Sequence, residues 1–261
     1  MLSVVALTPC SFAPALAPAA PAMRTAAPIM ESKAELELLA KELNPVVGFW
    51  DPLALSESGS DEPGAFFSES AAIGYLRQAE IKHGRVAMAA FVGFIVQSNG
   101  IHFPWGLTSE ISYADIAAAG GPAAQWDALP TASKLQIFGL VGFLEGWGEN
   151  RNALAADGQA HYMKGGKPGY FPSFKGASMG PAIHPMPLDL FDPFGFSKNK
   201  SEEAKSRGLK AEINNGRLAM IGIMGFLAEA KVPGSVPALS GLIKPYSGEV
   251  MAPFDANFHI F

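Results

Sequence analysis

Charge is what this chain has least of. Asp, Glu, Lys and Arg make up 16% of its 261 residues, against roughly 25% in ordinary globular proteins. A chain so short of charge has little polar coat to offer water, which points towards membrane burial. Cysteine is nearly absent: Cys10 stands alone, in a segment expected to be removed. The mature chain is therefore expected to carry no disulfide, thiolate nucleophile or cysteine metal site. No basic patch offsets the net charge of −5, so nucleic acid is excluded as a partner. Long apolar runs are missing too. No stretch reaches the 18 or more uncharged apolar residues that ordinarily mark a spanning helix.

Acidic residues are absent from residues 1–30, where Arg24 is the sole charge among Ala, Pro, Ser and Thr. That composition suits an organelle-targeting segment, with residues 31–261 forming a single domain. A disordered Ala/Pro tail is the plainer alternative.

Glycine (28) and proline (21) are plentiful, so much of the chain is expected in loops. Between them run helical patterns. Leu36, Leu39, Ala40 and Leu43 recur at helical spacing among charges, giving a short amphipathic helix that ends near Asn44-Pro45. A first long helix is expected from Ser68 to Gln97, wholly apolar or glycine from Val86 to Val96. A second starts at Thr131, after Pro130, and runs past Trp147. A third runs from Ser201, an N-cap followed by Glu202 and Glu203, to about Ala230 before Pro233. A weak amphipathic turn follows near Pro237 to Ile243. The first and third helices, of about 30 residues each, reach roughly 45 Å, enough to cross a bilayer at a tilt. Charges in their middles then need partners.

An internal repeat supplies those partners. Residues 80–88 read Glu-Ile-Lys-His-Gly-Arg-Val-Ala-Met and residues 212–220 read Glu-Ile-Asn-Asn-Gly-Arg-Leu-Ala-Met, six of nine positions being identical. Each copy lies in a long helix and follows an aromatic-Asp-Pro loop, which implies two helices related by a pseudo-two-fold axis. Glu80 and Arg85, five apart, point about 140° away from each other on one helix. Pairing across helices solves this, Glu80 with Arg217 and Glu212 with Arg85. Gly84 and Gly216 then let the backbones approach. A carboxylate has two oxygens, so one can meet arginine while the other faces outward. His83 and Asn215, three residues on, share nearly the same face as Glu80 and Glu212. Each helix thus offers two outward donors about 4.5 Å apart along the axis, suited to a hard cation such as magnesium. The plainer reading is that these groups only form interhelical ion pairs. The duplication argues for more.

At these residues the chain resembles the light-harvesting chlorophyll-binding family of chloroplasts, over about residues 45 to 255. The resemblance implies an all-α membrane protein of three transmembrane helices, the first and third crossing about the pseudo-two-fold axis, with short amphipathic helices besides. It implies that Glu80, His83, Glu212 and Asn215 bind chlorophyll magnesium, with Glu145 and Gln136 on the second helix and Glu229 late in the third as further ligands. Trp50-Asp51-Pro52 and Phe191-Asp192-Pro193 match the places where two central carotenoids anchor. Tyr170-Phe171-Pro172, Ile183-His184-Pro185, the run from Phe194 to Lys198 and the run from Pro245 to Glu249 are similar to the chlorophyll a/c proteins of red-lineage plastids. Ser11-Phe12-Ala13-Pro14 is similar to their targeting-segment cleavage site. The cofactors implied are chlorophyll a, chlorophyll c and a fucoxanthin- or peridinin-type carotenoid. The partners implied are a photosystem core, neighbouring antenna subunits and thylakoid lipids.

The expected function is therefore an antenna and not an enzyme. A quenching member of the same fold is one alternative. The other is a di-iron carboxylate enzyme, since Glu80-x-x-His83 is half of such a site. His102, His161, His184 and His259 are read as loop or tail residues, with His184 the candidate exception. Glu149 is read as a solvated helix end.

Overall fold

The computed structural model describes residues 32–60, 67–174, 189–197, 199–250 and 252–254. Residues 1–30, expected to be a targeting segment, with Cys10 and the Ser11-Phe12-Ala13-Pro14 motif, lie outside them, as do Ile183-His184-Pro185, Lys198 and His259.

Seven α-helices and short 3-10 turns make up the described regular structure. α1 (Lys33–Leu43) opens with a capping box, in which the Ser32 side chain accepts from Glu35 N–H and the Glu35 carboxylate accepts from Ser32 N–H. α2 (Glu69–Ser98) is capped by Ser68 and α7 (Glu202–Lys231) by Ser201, each hydroxyl accepting from the amide three residues on. α5 (Thr131–Gly148) begins after Pro130. These limits match the sequence expectation to within a residue or two. Three short helices arise in stretches read only as connection: α3 (Tyr113–Ala118), α4 (Pro122–Asp127) and α6 (Arg151–Ala156). One or two turns are too short for hydrophobic periodicity to show. Local caps make them, Ser112 with Asp115 for α3 and Asn150 for α6.

α2 and α7 pack against each other and form the centre of the molecule. They cross where Gly84 meets Gly216. A Cβ on Gly84 would lie 3.0 Å from the Gly216 Cα, and one on Gly216 would lie 2.9 Å from the Gly84 Cα. Ala87, Ile213 and Ala219 are buried beside this point, and Phe226 stacks on Phe91 and Phe94 with ring centroids 4.9 and 5.0 Å away.

α5 is held at its ends and bare between them. At its C-terminal end Trp147 packs with Ala153 and Phe174, and its indole N–H donates to Pro172 O at 3.2 Å. Near its N-terminal end, Phe138 packs edge-on to Trp126 and against Phe254, while Trp126 donates to Pro253 O at 2.8 Å. Tyr246 ties the tail to α4 by donating to Asp127 at 2.6 Å. Burial and that bond push its phenol up to about 12, so it stays a donor at ordinary pH. Between the two ends, Leu140 and Val141 are exposed, as are Leu135 and Ile137 nearer the N-terminal end, and Gly139, Gly142 and Gly146 face open space. A helix apolar all round is stable only when something apolar surrounds it.

Among the described residues, no helix is both long and apolar enough by hydropathy to cross a membrane. α2 and α7 have 30 residues each. What lowers their mean hydropathy is the charge concentrated in and before the repeated block.

The repeat extends into the loops. Asp51 accepts from Leu55 N–H at 2.9 Å and Ser56 N–H at 2.8 Å, four and five residues on. Asp192 accepts from Phe196 N–H and Ser197 N–H, both at 2.7 Å, with the same offsets. The third residue after each aspartate is left-handed: Gly195 at φ 76° and Ala54 at φ 52°. Alanine is strained there and glycine is not. Ala54→Gly relieves about 1–2 kcal/mol of left-handed strain against roughly 0.5–1 kcal/mol of glycine's extra entropy, and the net stabilisation is expected to be read as a higher melting temperature. A lower one would show that Ala54 makes contacts worth more than the strain.

Candidate functional site

The two cross-helix ion pairs expected from the repeat are present, flanking the glycine crossing. Arg217 reaches Glu80 Oε1 through Nε and Nη2, each at 2.7 Å. Arg85 Nε meets Glu212 Oε1 at 2.5 Å. Charges that would oppose membrane burial thus neutralise one another between α2 and α7.

The two sites are less alike than the sequence suggests. Glu80 was expected to keep one oxygen facing outward, but its Oε2 meets Arg77 Nη1, one turn back on α2. Arg77 is buried and its counterpart in the repeat is Leu209. Its spacing of three from Glu80 is a standard helical pairing, and that signal was there to be read. Glu212 pairs with Arg85, whose Nη1 also donates to Gly169 O at 2.7 Å. Gly169 donates in turn to Gln78 Oε1 at 2.6 Å, pinning the α6–α7 connection to α2.

His83 is exposed, and its Nδ1 lies 2.8 Å from Ala79 O. A carbonyl can only accept, so Nδ1 carries a proton, and in the neutral ring Nε2 is the nitrogen left with a lone pair. This is how a ligating imidazole is held. Asn215 is exposed at the corresponding place on α7, and Gln136 is exposed on α5. Glu145, also exposed on α5, has Oε2 bound by Lys82 Nζ of α2.

Glu229 corrects the sequence expectation. The resemblance implied it as a further ligand late in the third helix, but it is 2% exposed. Oε1 accepts from Gly234 N–H and Oε2 from Val236 N–H, both at 2.9 Å. Both oxygens are spent on the turn after α7, so Glu229 closes that turn and presents no donor outward. Glu149 caps the exposed C-terminal end of α5 and His161 lies in the connection after α6, as read, but the two are joined. His161 Nε2 lies 2.5 Å from Glu149 Oε2, and Tyr162 donates to Glu149 Oε1 at 3.2 Å. Burial and Glu149 push the Tyr162 phenol up to about 12. His102 is exposed, as expected.

Two cavities sit on either side of the crossing. One, about 670 Å³, lies between the apolar face of α1, Trp50 and Asp51, and Arg77, Glu80 and Arg217. The other, about 660 Å³, lies between Phe191 and Asp192 and the Leu209–Glu212 turn of α7. Each joins a carboxylate of the repeat to an aromatic-Asp loop. Trp50 and Phe191 remain largely exposed beside them. A third, about 340 Å³, separates α2 from α5 beside Lys82 and Glu145.

Such gaps and outward donors suit flat apolar molecules carrying a hard metal. A di-iron site is a different matter, needing several carboxylates and histidines gathered in one place. Among the described residues no group of three or more His, Cys, Asp or Glu is placed to hold a metal ion.

The family model for "Chlorophyll A-B binding protein" matches residues 35–231. The chain is 34% identical over 203 residues to "Fucoxanthin-chlorophyll a-c binding protein, chloroplastic" of Trieres chinensis, covering 74% of this chain and 78% of that one. It is 31% identical over 191 residues to fucoxanthin-chlorophyll a-c binding protein F of Phaeodactylum tricornutum, covering 72% and 76%. With protein A of the same name from Macrocystis pyrifera it is 30% identical over 198 residues, covering 76% and 74%.

Proposed function

The chain belongs to the chlorophyll A-B binding protein family, and on that premise we propose that it is a light-harvesting antenna that binds chlorophyll a, chlorophyll c and fucoxanthin. The relatives' names point to this pigment set and to the plastid. The observation that carries the reading is the paired crossing of α2 and α7, with Glu80–Arg217 and Glu212–Arg85 bonded across it and the exposed His83 left with a lone pair on Nε2.

The protein spans the thylakoid membrane three times, through α2, α5 and α7. At 1.5 Å per residue, 30-residue helices reach about 45 Å and the 18-residue α5 about 27 Å, against a hydrocarbon core of roughly 30 Å. Hydropathy alone does not favour this, because each charge is counted as if solvated. Pairing across the crossing offsets that count. The exposed apolar surface of α5 is covered by pigment and lipid, which need no solvation.

His83, Asn215, Gln136, Glu145, Glu212 and Glu80 supply the magnesium ligands, one donor per macrocycle. Glu80 does so with its second oxygen shared with Arg77. The Trp50-Asp51-Pro52 and Phe191-Asp192-Pro193 loops hold the carotenoid ends. In each, the aspartate folds the turn and the exposed aromatic ring makes the contact. Bound pigments absorb light and pass excitation to one another. The chain's residues do no bond chemistry; they fix distances and orientations, and the antenna delivers to a photosystem core and neighbouring antenna subunits.

Pigment analysis of the purified native protein tests this. Several chlorophylls a and c per chain with fucoxanthin are expected, and a folded, pigment-free protein would end the proposal. A sharper check is His83→Leu. The side chain is exposed and its helix bonds are intact without it, so the fold is expected to survive while a single chlorophyll is lost. An unchanged pigment ratio would remove His83 from the ligand set.

A further inference from the structure

The third position of the repeated block is where the two copies differ most in chemistry, Lys82 against Asn214. The structure gives both residues the same kind of task. Each leaves the central pair of helices and reaches a flanking one. Asn214 Nδ2 donates to Leu43 O at 3.3 Å, at the end of α1. Lys82 Nζ binds Glu145 Oε2 on α5. The copies diverge here because their flanking helices differ. α1 ends beside Asn214 and offers a free carbonyl, which an amide can meet. α5 offers a carboxylate, which calls for a cation.

Glu145 has reason to need one. It sits at the end of the bare stretch of α5, and a carboxylate must be ionised to bind a metal. A lone anion at membrane depth is costly and is normally found paired. Unlike Glu80 and Glu212, it is not paired with an arginine of the central crossing. Lys82 comes from the opposite wall of the 340 Å³ gap. It claims one oxygen, and the carboxylate group keeps a second.

Resting on the antenna reading, we propose that Lys82 is the positioning residue for a chlorophyll carried by Glu145. It neutralises that carboxylate, orients it, and fixes the spacing of α5 from α2. Lys82 touches no magnesium itself; it acts through Glu145. The departure from the repeat at position 82 is then functional, creating on one side of the pseudo-two-fold axis a pigment site that the other side lacks.

The test is refolding of the full chain with chlorophyll a, chlorophyll c and fucoxanthin, read by pigment per chain and low-temperature absorption. Lys82→Met and Glu145→Leu are expected to lose the same absorption band and the same single chlorophyll. The double variant is expected to lose no more than either, since coupled residues are not additive. Lys82→Arg is expected to keep the band. The exchange Lys82→Glu with Glu145→Lys preserves the ion pair but moves the carboxylate to α2, so it is expected to fold and still lack the band. The proposal is overturned if Lys82→Met keeps the band, if the double variant loses a second chlorophyll, or if the exchanged pair retains the site. Failure of the unaltered chain to take up any pigment would instead overturn the antenna reading on which this rests.

Discussion

Gly84→Leu is expected to abolish pigment assembly, and Gly216→Leu to do the same. A Cβ at either position would lie 2.9–3.0 Å from the other helix's Cα, at the lower limit of what packed atoms tolerate, and a leucine adds three more carbons beyond it. The obstacle is backbone, which cannot swing aside as a side chain can. Overpacking in a tight interior typically costs about 1–3 kcal/mol. Here the only relief is to separate α2 from α7. Separation also stretches the Glu80–Arg217 and Glu212–Arg85 pairs and unstacks Phe226 from Phe91 and Phe94. The leucine variants should therefore lose more than the steric cost alone. Alanine is the informative control. It adds the same Cβ and meets the same backbone, offset in part by about 1 kcal/mol of helix propensity over glycine, so it is expected to fall between glycine and leucine. Refolding yield with pigment, compared across glycine, alanine and leucine, measures this. Full yield from both leucine variants would mean that the helices do not meet at these residues.

Removing the two cross-helix arginines is expected to have unequal effects, and Arg85→Leu should be the worse. Deleting one partner of an ion pair leaves the other charge without compensation, which costs about 3–5 kcal/mol in a fully buried pair and less in these, whose side chains are 24–43% exposed. Sequence symmetry makes the two arginines equivalent. The structure does not. Without Arg217, Glu80 still has Arg77 on its other oxygen, so a neutral pair remains within α2 and only the bond between helices is lost. Without Arg85, Glu212 has leucine at the matching position, Leu209, in place of a second arginine. Arg85→Leu also removes the donor to Gly169 O and so frees the α6–α7 connection. Pigment yield and thermal stability of the two variants side by side decide this. Equal losses would show that Arg77 gives Glu80 no support. Making Arg77→Leu in the Arg217→Leu background should then bring the loss up to that of Arg85→Leu.

These inequalities show what can be read from residues alone. The helix limits were legible because local chemistry sets them. Ser68 and Ser201 cap their helices through amides three residues away, Pro130 precedes α5, and Pro233 follows α7. The crossing was legible because the same nine-residue pattern occurs twice with its charges five apart. That spacing is poor within a helix and workable between two. The short helices α3, α4 and α6 were not legible, since one or two turns carry no periodic signal.

The proposed ligands divide in the same way. His83 could be placed as an outward donor because its face follows from helical phase, and the structure adds the carbonyl of Ala79 that holds its ring. Glu229 could not be placed, because its two partners are backbone amides of a turn whose path no side-chain pattern records. The link from Glu149 to His161 spans a loop and was hidden for the same reason. The division of labour at position 82 was hidden too, since Lys82 gains its meaning only from which helix stands opposite.

By itself, then, the sequence determined the family, the three long helices and the glycine crossing with its exchanged ion pairs. All of these depend on local propensity or on a repeat, which are properties of the chain in order. Only the tertiary structure decided which carboxylate oxygens remain for ligands, why the two halves of the repeat are inequivalent, and how α5 is held away from its neighbours. Those depend on side chains from distant segments competing for the same atoms, and order along a chain does not record who arrives first.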